Sequence, residues 1–361
     1  MDYNKNNFTN IAVLSILFAA VVYLCFWSST SSNYSFFFTR NQPCPSQSDT
    51  LQGVTKDELD VVLEEASMSN KTVVIAVVNR AYAEEQNGGV YMTMLDLFLE
   101  SFWVGEETRG LLDHLLVVAV DQTAYDRCIF RGLHCYRLVT DGVDFTGEKL
   151  YMSDEFIKMM WRRTRFLLDV LNRGYNFIFT DTDVMWLRNP FERLSKNETE
   201  DIQMSTDDFN GDAWSEANFI NTGFYYVRSN NRTISLFQKW YDMKDNSTGM
   251  KEQDVLARLI HDGVLRQLGL KVRFLDTLYF SGFCKDSRDI TAVTTVHANC
   301  CRSISAKVTD LAAVLRDWKK FRRLVARYPR AAANATLNFQ WSKHIGCFKS
   351  WRVPTNSPTL G

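Results

Sequence analysis

The stretch "RGYNFIFTDTDVMWLRNPF", residues 173–191, decides how the chain is read. Its apolar run "NFIFT" leads into Asp181 and Asp183, the only D-x-D in 361 residues. Side chains of residues i and i+2 point the same way in an extended chain, so the spacing predicts two carboxylates converging on one point at a strand end. Like charges held that close need a cation or a proton between them.

Immediately upstream, "SDEFIKMMWRRTRFLLDVLNRG" (153–174) predicts a long helix with Ser153 as N-cap, Glu155 in the first turn and Gly174 as C-cap. Its apolar stripe runs through Phe156, Met159 or Met160, Leu167 and Val170, and Arg163 falls within it. A charge on a core-facing position must find a partner or snorkel. The bland reading is an internal salt bridge; the functional one has Arg163, with Lys158, facing a phosphate or the acidic pair. Further upstream, "KTVVIAVVN" (71–79) and "HLLVVAVD" (114–121) are β-branched or apolar runs that predict strands buried on both faces. "MTMLDLFLESFWVG" predicts a helix and "CYRLV" a short strand. This β-α-β-β-α-β order implies a Rossmann-type α/β fold, a mostly parallel sheet with helices on both faces. Ligands of such sheets bind beyond the carboxyl ends of the strands, where the aspartates stand.

Composition narrows the partners. With 46% hydrophobic and 23% charged residues the chain has ample core, and its formal charge of −1 excludes the global field of a polyanion binder, so nucleic acid is not an expected partner. Residues 11–27, "IAVLSILFAAVVYLCFW", are seventeen uncharged apolar or small residues, enough for a transmembrane signal anchor, with a cleaved signal peptide as the alternative. The division that follows is a cytosolic tail (1–10), an anchor (11–27), a polar stem (28–56), a catalytic-type domain (57–330) and a C-terminal tail (331–361). Beyond the apolar segment, export agrees with six N-x-S/T sequons, at Asn33, Asn70, Asn197, Asn231, Asn246 and Asn334, and with seven cysteines. Cys128 and Cys135 close a short loop that suits a disulfide, and the odd total predicts an unpaired thiol, assigned to one of Cys300 and Cys301.

Three chemistries compete for the aspartate pair. A divalent cation held there could grip the diphosphate of a nucleotide-sugar. A haloacid-dehalogenase-like phosphohydrolase would use Asp181 as nucleophile and Asp183 as acid/base; that class expects Thr or Val where Met185 stands, and its motif on the first strand. A non-catalytic luminal glycan-binding or scaffold protein would keep the pair as a turn or calcium site.

Five blocks in order, "NFIFTDTDVMWLRNPF", "FINTGFYYVRSN", "KEQDVLARLI", "LDTLYFSGFC" and "VHANCC", resemble the plant nucleotide-diphospho-sugar transferase domain placed with glycosyltransferase family 77. The resemblance implies a GT-A fold, single-pass type II topology in the Golgi membrane and a luminal catalytic domain. It also implies metal-dependent, retaining transfer, with Mn²⁺ or Mg²⁺, from a nucleotide-sugar donor, expected to be UDP-linked, to a cell-wall polysaccharide or glycoprotein. By the same resemblance Asp181 and Asp183 match the metal motif, and His297 looks like its late third ligand. Asn221 and Gly223 match the segment lining the donor-sugar pocket, where Gly permits close backbone approach. Gln253 and Asp254 match the site beneath the sugar ring, with Asp254 open to roles as nucleophile, charge stabiliser or helix cap. Asn79 and Arg80, in the first strand-to-loop turn, occupy the expected base and ribose site. Outside these blocks, "LRDWKKFRRLVARYPR" (315–330) has seven basic residues and one acidic over an apolar helical face of Leu311, Leu315, Trp318, Phe321 and Val325. It reads as a solvated helix surface, or as one whose Arg322 and Arg323 steer an acidic acceptor.

Overall fold

The computed structural model describes residues 56–84, 92–140, 142–149, 151–328 and 339–352. The predicted anchor, with all but the last residue of the stem, lies outside them; among the described residues no helix is long and apolar enough to cross a membrane. The strands are β1 (Thr72–Val78), β2 (Leu115–Ala119), β3 (His134–Arg137), β4 (Asn176–Thr180), β5 (Val184–Trp186), β6 (Ile202–Asp208), β7 (Phe219–Val227), β8 (Val272–Phe274), β9 (Phe280–Gly282) and β10 (Thr295–His297). The helices that matter here are α1 (Glu58–Ala66), α2 (Met94–Val104), α3 (Gln122–Phe130), α4 (Asp154–Asn172), α5 (Asn231–Asp242), α6 (Glu252–His261), α7 (Ile304–Arg327) and α8 (Ile345–Ser350).

The main sheet has the order β3-β2-β1-β4-β7-β6-β8, parallel except where β7 runs against β4 and β6. Alternate residues of β1 feed two cores. Val74, Ala76 and Val78 pack with Phe98, Phe102 and Trp318, whereas Val73 and Ile75 pack with Leu63, Leu167 and Leu171. A strand buried on both faces has no polar side to alternate with, which is why its sequence is one continuous apolar run. Strand order reverses between β1 and β4, so the chain leaves both carboxyl ends in opposite directions and a crevice opens there.

The long helix α4 starts as its sequence predicts, with Ser153 accepting a hydrogen bond from the Phe156 amide. Its C-cap is Arg173, and Gly174 follows at φ +79°, the left-handed conformation that only glycine adopts without strain. The second, three-stranded sheet (β5-β10-β9) pairs Val184 with His297 in antiparallel register.

Two expectations are corrected. Neither Cys300 nor Cys301 is free: beside the expected Cys128–Cys135 bridge, Cys284 pairs with Cys300 and Cys301 with Cys347. Adjacent cysteines point apart and so serve two different partners; Cys44 lies outside the described residues. The segment read as a tail, 331–361, contributes α8, whose Cys347 is 1% exposed and cross-linked to the loop before α7. The basic helix is longer than its sequence reading, and the charge of Arg322 is matched by Glu106, while Arg323 remains exposed.

Candidate active site

The two aspartates do not lie on an extended strand. They are the first and third residues of a β-turn between β4 and β5, in which the Val184 amide donates to the Asp181 carbonyl at 3.2 Å. The carboxylates still converge, because the turn is held from both sides: the Asp181 amide donates to the Gly223 carbonyl at 2.7 Å and the Ala298 amide to the Asp183 carbonyl at 3.0 Å. The β5–β10 register therefore brings His297 to the pair, its Nε2 lying 3.3 Å from Asp183 Oδ1 and 3.9 Å from Asp181 Oδ2. One potential ligand atom from each of Asp181, Asp183 and His297 falls within 4.8 Å of the others. Gly223 makes room for them: a β-carbon there would strike the His297 ring and come within 2.9 Å of Asp181 Oδ2.

Each aspartate has its own cation. Lys307 Nζ sits 2.7 Å from Asp183 Oδ2, and Arg163 donates to Asp181 Oδ1 at 2.9 Å and to Glu252 Oε1 at 2.5 Å. Burial acts to raise the Asp183 pKa, but Lys307 and then His297 outweigh it and hold the group ionised, well below the usual carboxylate range. Burial also opposes charge on His297, yet the Asp183 and Asp181 carboxylates prevail and raise its pKa above the ordinary imidazole value. With His297 neutral, as metal ligation requires, three carboxylates (Asp181, Asp183, Glu252) face two fixed cations (Arg163, Lys307). A cluster with net negative charge and an oxygen-rich, single-imidazole donor set fits a divalent cation such as Mn²⁺ or Mg²⁺.

These groups line a cleft of about 250 Å³ that extends to Asn79, Tyr82, Asp207 and Gln253. Asn221 bridges the cleft wall: its Oδ1 accepts from the Gly223 amide and its Nδ2 donates to Asp207, each at 2.7 Å. Gln253 Oε1 accepts from the Thr222 amide at 3.0 Å, which fixes its side chain at the floor. Asn79 reaches the cleft, but its amide is used to pin the loop at Phe145 and Gly147 at 2.8 and 3.0 Å.

Three predicted residues lie outside the cleft lining. Lys158 is exposed, because five residues along a helix turn it about 140° away from Arg163. Arg80 points outward to Glu84 at 3.0 Å, and Asp254 lies on the outer side of α6, 3.9 Å from Lys251. Conversely, Lys307, Glu252, Asp207 and Tyr82 escaped the sequence reading. Lys307 carried the same signal as Arg163, a charge in an apolar helical stripe between Ile304 and Leu311. Glu252 had the signal of a charge next to Gln253 at a helix start, which reads equally well as a dipole partner.

A family model for nucleotide-diphospho-sugar transferases matches residues 110–311. An Arabidopsis thaliana protein, itself described only as uncharacterized, is 60% identical over 306 residues, covering 84% of this chain and 87% of that protein. A second uncharacterized Arabidopsis protein is 40% identical over 298 residues, covering 81% and 74%. The Arabidopsis β-arabinofuranosyltransferase RAY1 is 26% identical over 258 residues, which span 65% of this chain and 45% of RAY1. These matches select the transferase over the phosphohydrolase and the non-catalytic module: the chain belongs to the nucleotide-diphospho-sugar transferase family and is a nucleotide-sugar-dependent glycosyltransferase.

Proposed function

We propose that the protein transfers a sugar from a UDP-sugar, with metal dependence and retention of configuration, to a cell-wall polysaccharide or glycoprotein, working as a type II membrane protein in the Golgi lumen. The observation that carries the metal and donor part is the Asp181–Asp183–His297 cluster at the strand-order switch point. Asp181, Asp183 and His297 would hold the cation, which supplies charge neutralisation for the departing nucleoside diphosphate. Lys307, locked against Asp183 at 2.7 Å, adds a fixed positive charge that needs no reorganisation during the reaction. Arg163, braced by Glu252, holds Asp181 in one orientation and offsets its negative charge. Asn221 and Gly223 form the wall against which the donor sugar lies, and Gln253 contacts it from the floor. With Asp254 turned away, the residue beneath the sugar is an amide, which favours a contact role over a covalent carboxylate intermediate. The luminal setting is supported by the disulfides and by exposed sequon asparagines at 70, 197, 231 and 246. Transfer of a sugar is supported by the similarity to RAY1, a β-arabinofuranosyltransferase.

Calorimetric titration of the purified protein with UDP, with and without Mn²⁺, tests this reading. UDP binding that requires Mn²⁺ and disappears in Asp183→Ala is the expected result; no UDP binding under either condition overturns it.

A further inference from the structure

Arg302 and Trp351 line the same cleft as the aspartates but take no part in the arrangement described so far. They are held together from three directions. The Cys301–Cys347 disulfide ties the loop before α7 to α8, the Arg302 amide donates to Ser350 Oγ at 3.0 Å, and the Trp351 indole N–H donates to the Cys300 carbonyl at 2.7 Å. Trp351 is thereby fixed in orientation, with its one polar atom satisfied, yet it remains 45% exposed. A large aromatic ring that is immobilised and left accessible at a cleft mouth offers contact area at little conformational cost. Sugar rings present a face of C–H bonds that suits such a surface.

Arg302 supplies the second observation. Its guanidinium rests 4.0 Å from the Trp351 ring, its buried Nε has no hydrogen-bond partner, and among the described residues it makes no ion pair. Arg163 and Lys307, the cations at the cleft floor, each have a carboxylate within 2.9 Å. A cation without a counter-charge beside an accessible ring is complementary to an oxyanion carried on a ring. The donor diphosphate has its own cationic surroundings on the floor, at the aspartate cluster and Lys307.

We infer that Trp351 and Arg302 form an acceptor subsite for a sugar bearing a carboxylate, a uronic acid residue whose ring lies on the indole and whose carboxylate meets the guanidinium. The inference rests on the transferase reading only for the name "acceptor"; the binding itself is measured without donor. The probes are trigalacturonate and the neutral galactotriose of the same linkage, titrated into the full chain, with UDP plus Mn²⁺ titrated separately. The wild-type protein is expected to bind the acidic trisaccharide roughly tenfold or more tightly than the neutral one, a preference that Arg302→Gln removes and Arg302→Lys retains in part. Trp351→Ala is expected to weaken both trisaccharides about tenfold, with Trp351→Phe intermediate, while UDP affinity changes by less than about twofold in all four variants. Unchanged melting temperatures identify variants that remain folded. Absence of an acidic preference in the wild-type protein overturns the inference. So does an Arg302→Gln variant that loses UDP affinity while keeping trigalacturonate, because Arg302 would then serve the donor phosphates. Failure of UDP binding alone sinks the UDP-donor reading and leaves this one standing.

Discussion

Asp181 and Asp183 stand one residue apart, but different regions of the molecule manage their charges. Asp181 is served by the sheet half of the protein: Arg163 comes from α4, the helix that leads into its own strand, and Glu252 from α6 behind it. Asp183 is served by the C-terminal region: His297 from β10 and Lys307 from α7, flanked by two disulfides. The first arrangement sits in a scaffold held by apolar packing on both faces of a sheet. The second sits on short strands and turns held by cross-links. The contrast teaches that one motif can be positioned by a core and given its chemistry by a stapled cover.

The largest break in this comparison is at Gly223, where both regions meet. Gly223→Ala pushes a methyl group into the His297 ring and toward Asp181, and activity is expected to fall by about a hundredfold or more with circular dichroism unchanged, since a small displacement of ligating groups is enough. Near-normal activity would show that His297 is free to move aside. Next come single losses in the buried pair. Arg163→Met leaves Glu252, 1% exposed, without its cation and is expected to cost about 3 to 5 kcal/mol in urea unfolding. The double variant Arg163→Met with Glu252→Met should recover a substantial part of that loss, because no unpaired charge remains at the back of the site; equal loss in both would argue that packing and not charge dominates.

Removing the staple tests the other region. Cys301→Ser with Cys347→Ser is expected to lower stability by about 2 to 5 kcal/mol and to weaken Mn²⁺-dependent UDP binding more than it alters the far-UV spectrum. If UDP binding were untouched, the C-terminal cover would be held by α7 alone. The smallest effect concerns pH. With its pKa raised by the aspartates, His297 is protonated in the metal-free protein below that raised value and must release the proton to ligate a metal. Mn²⁺ affinity should therefore rise with pH, by roughly tenfold per unit at most, until His297 is neutral in the free protein, and then level off. Measuring Mn²⁺ binding by calorimetry from pH 5.5 to 8.5 in buffers of different ionisation enthalpy reads the proton directly. In His297→Gln the slope that remains should be only that of the carboxylates, at the acid end.

Much of the sheet half was legible. Continuous apolar runs marked β1, β2 and β4, and the capping residue Ser153 and Gly174 bounded α4 within a residue. Arg163 was legible as a misplaced charge, because periodicity exposes any residue that violates it. Its partners were less so: Arg163 and Glu252 are 89 residues apart, and nothing local pairs them. Lys158 was misplaced because nearness in sequence was taken for nearness in space, which a helix does not respect. The unpaired cysteine failed for a related reason: an odd count says that a thiol is left over but not which one, and adjacent residues can face opposite partners.

The amino-acid pattern alone settles the alternation of strands and helices and the placing of a D-x-D after a central strand, because burial and helix periodicity are written in neighbouring residues. Which groups surround those aspartates was decided by the folded chain. The register of β5 against β10, the packing of α7 beneath the turn and the tethering of α8 join residues far apart in sequence. No local period encodes such pairings; they exist only when the whole sheet and its cross-links fall into place.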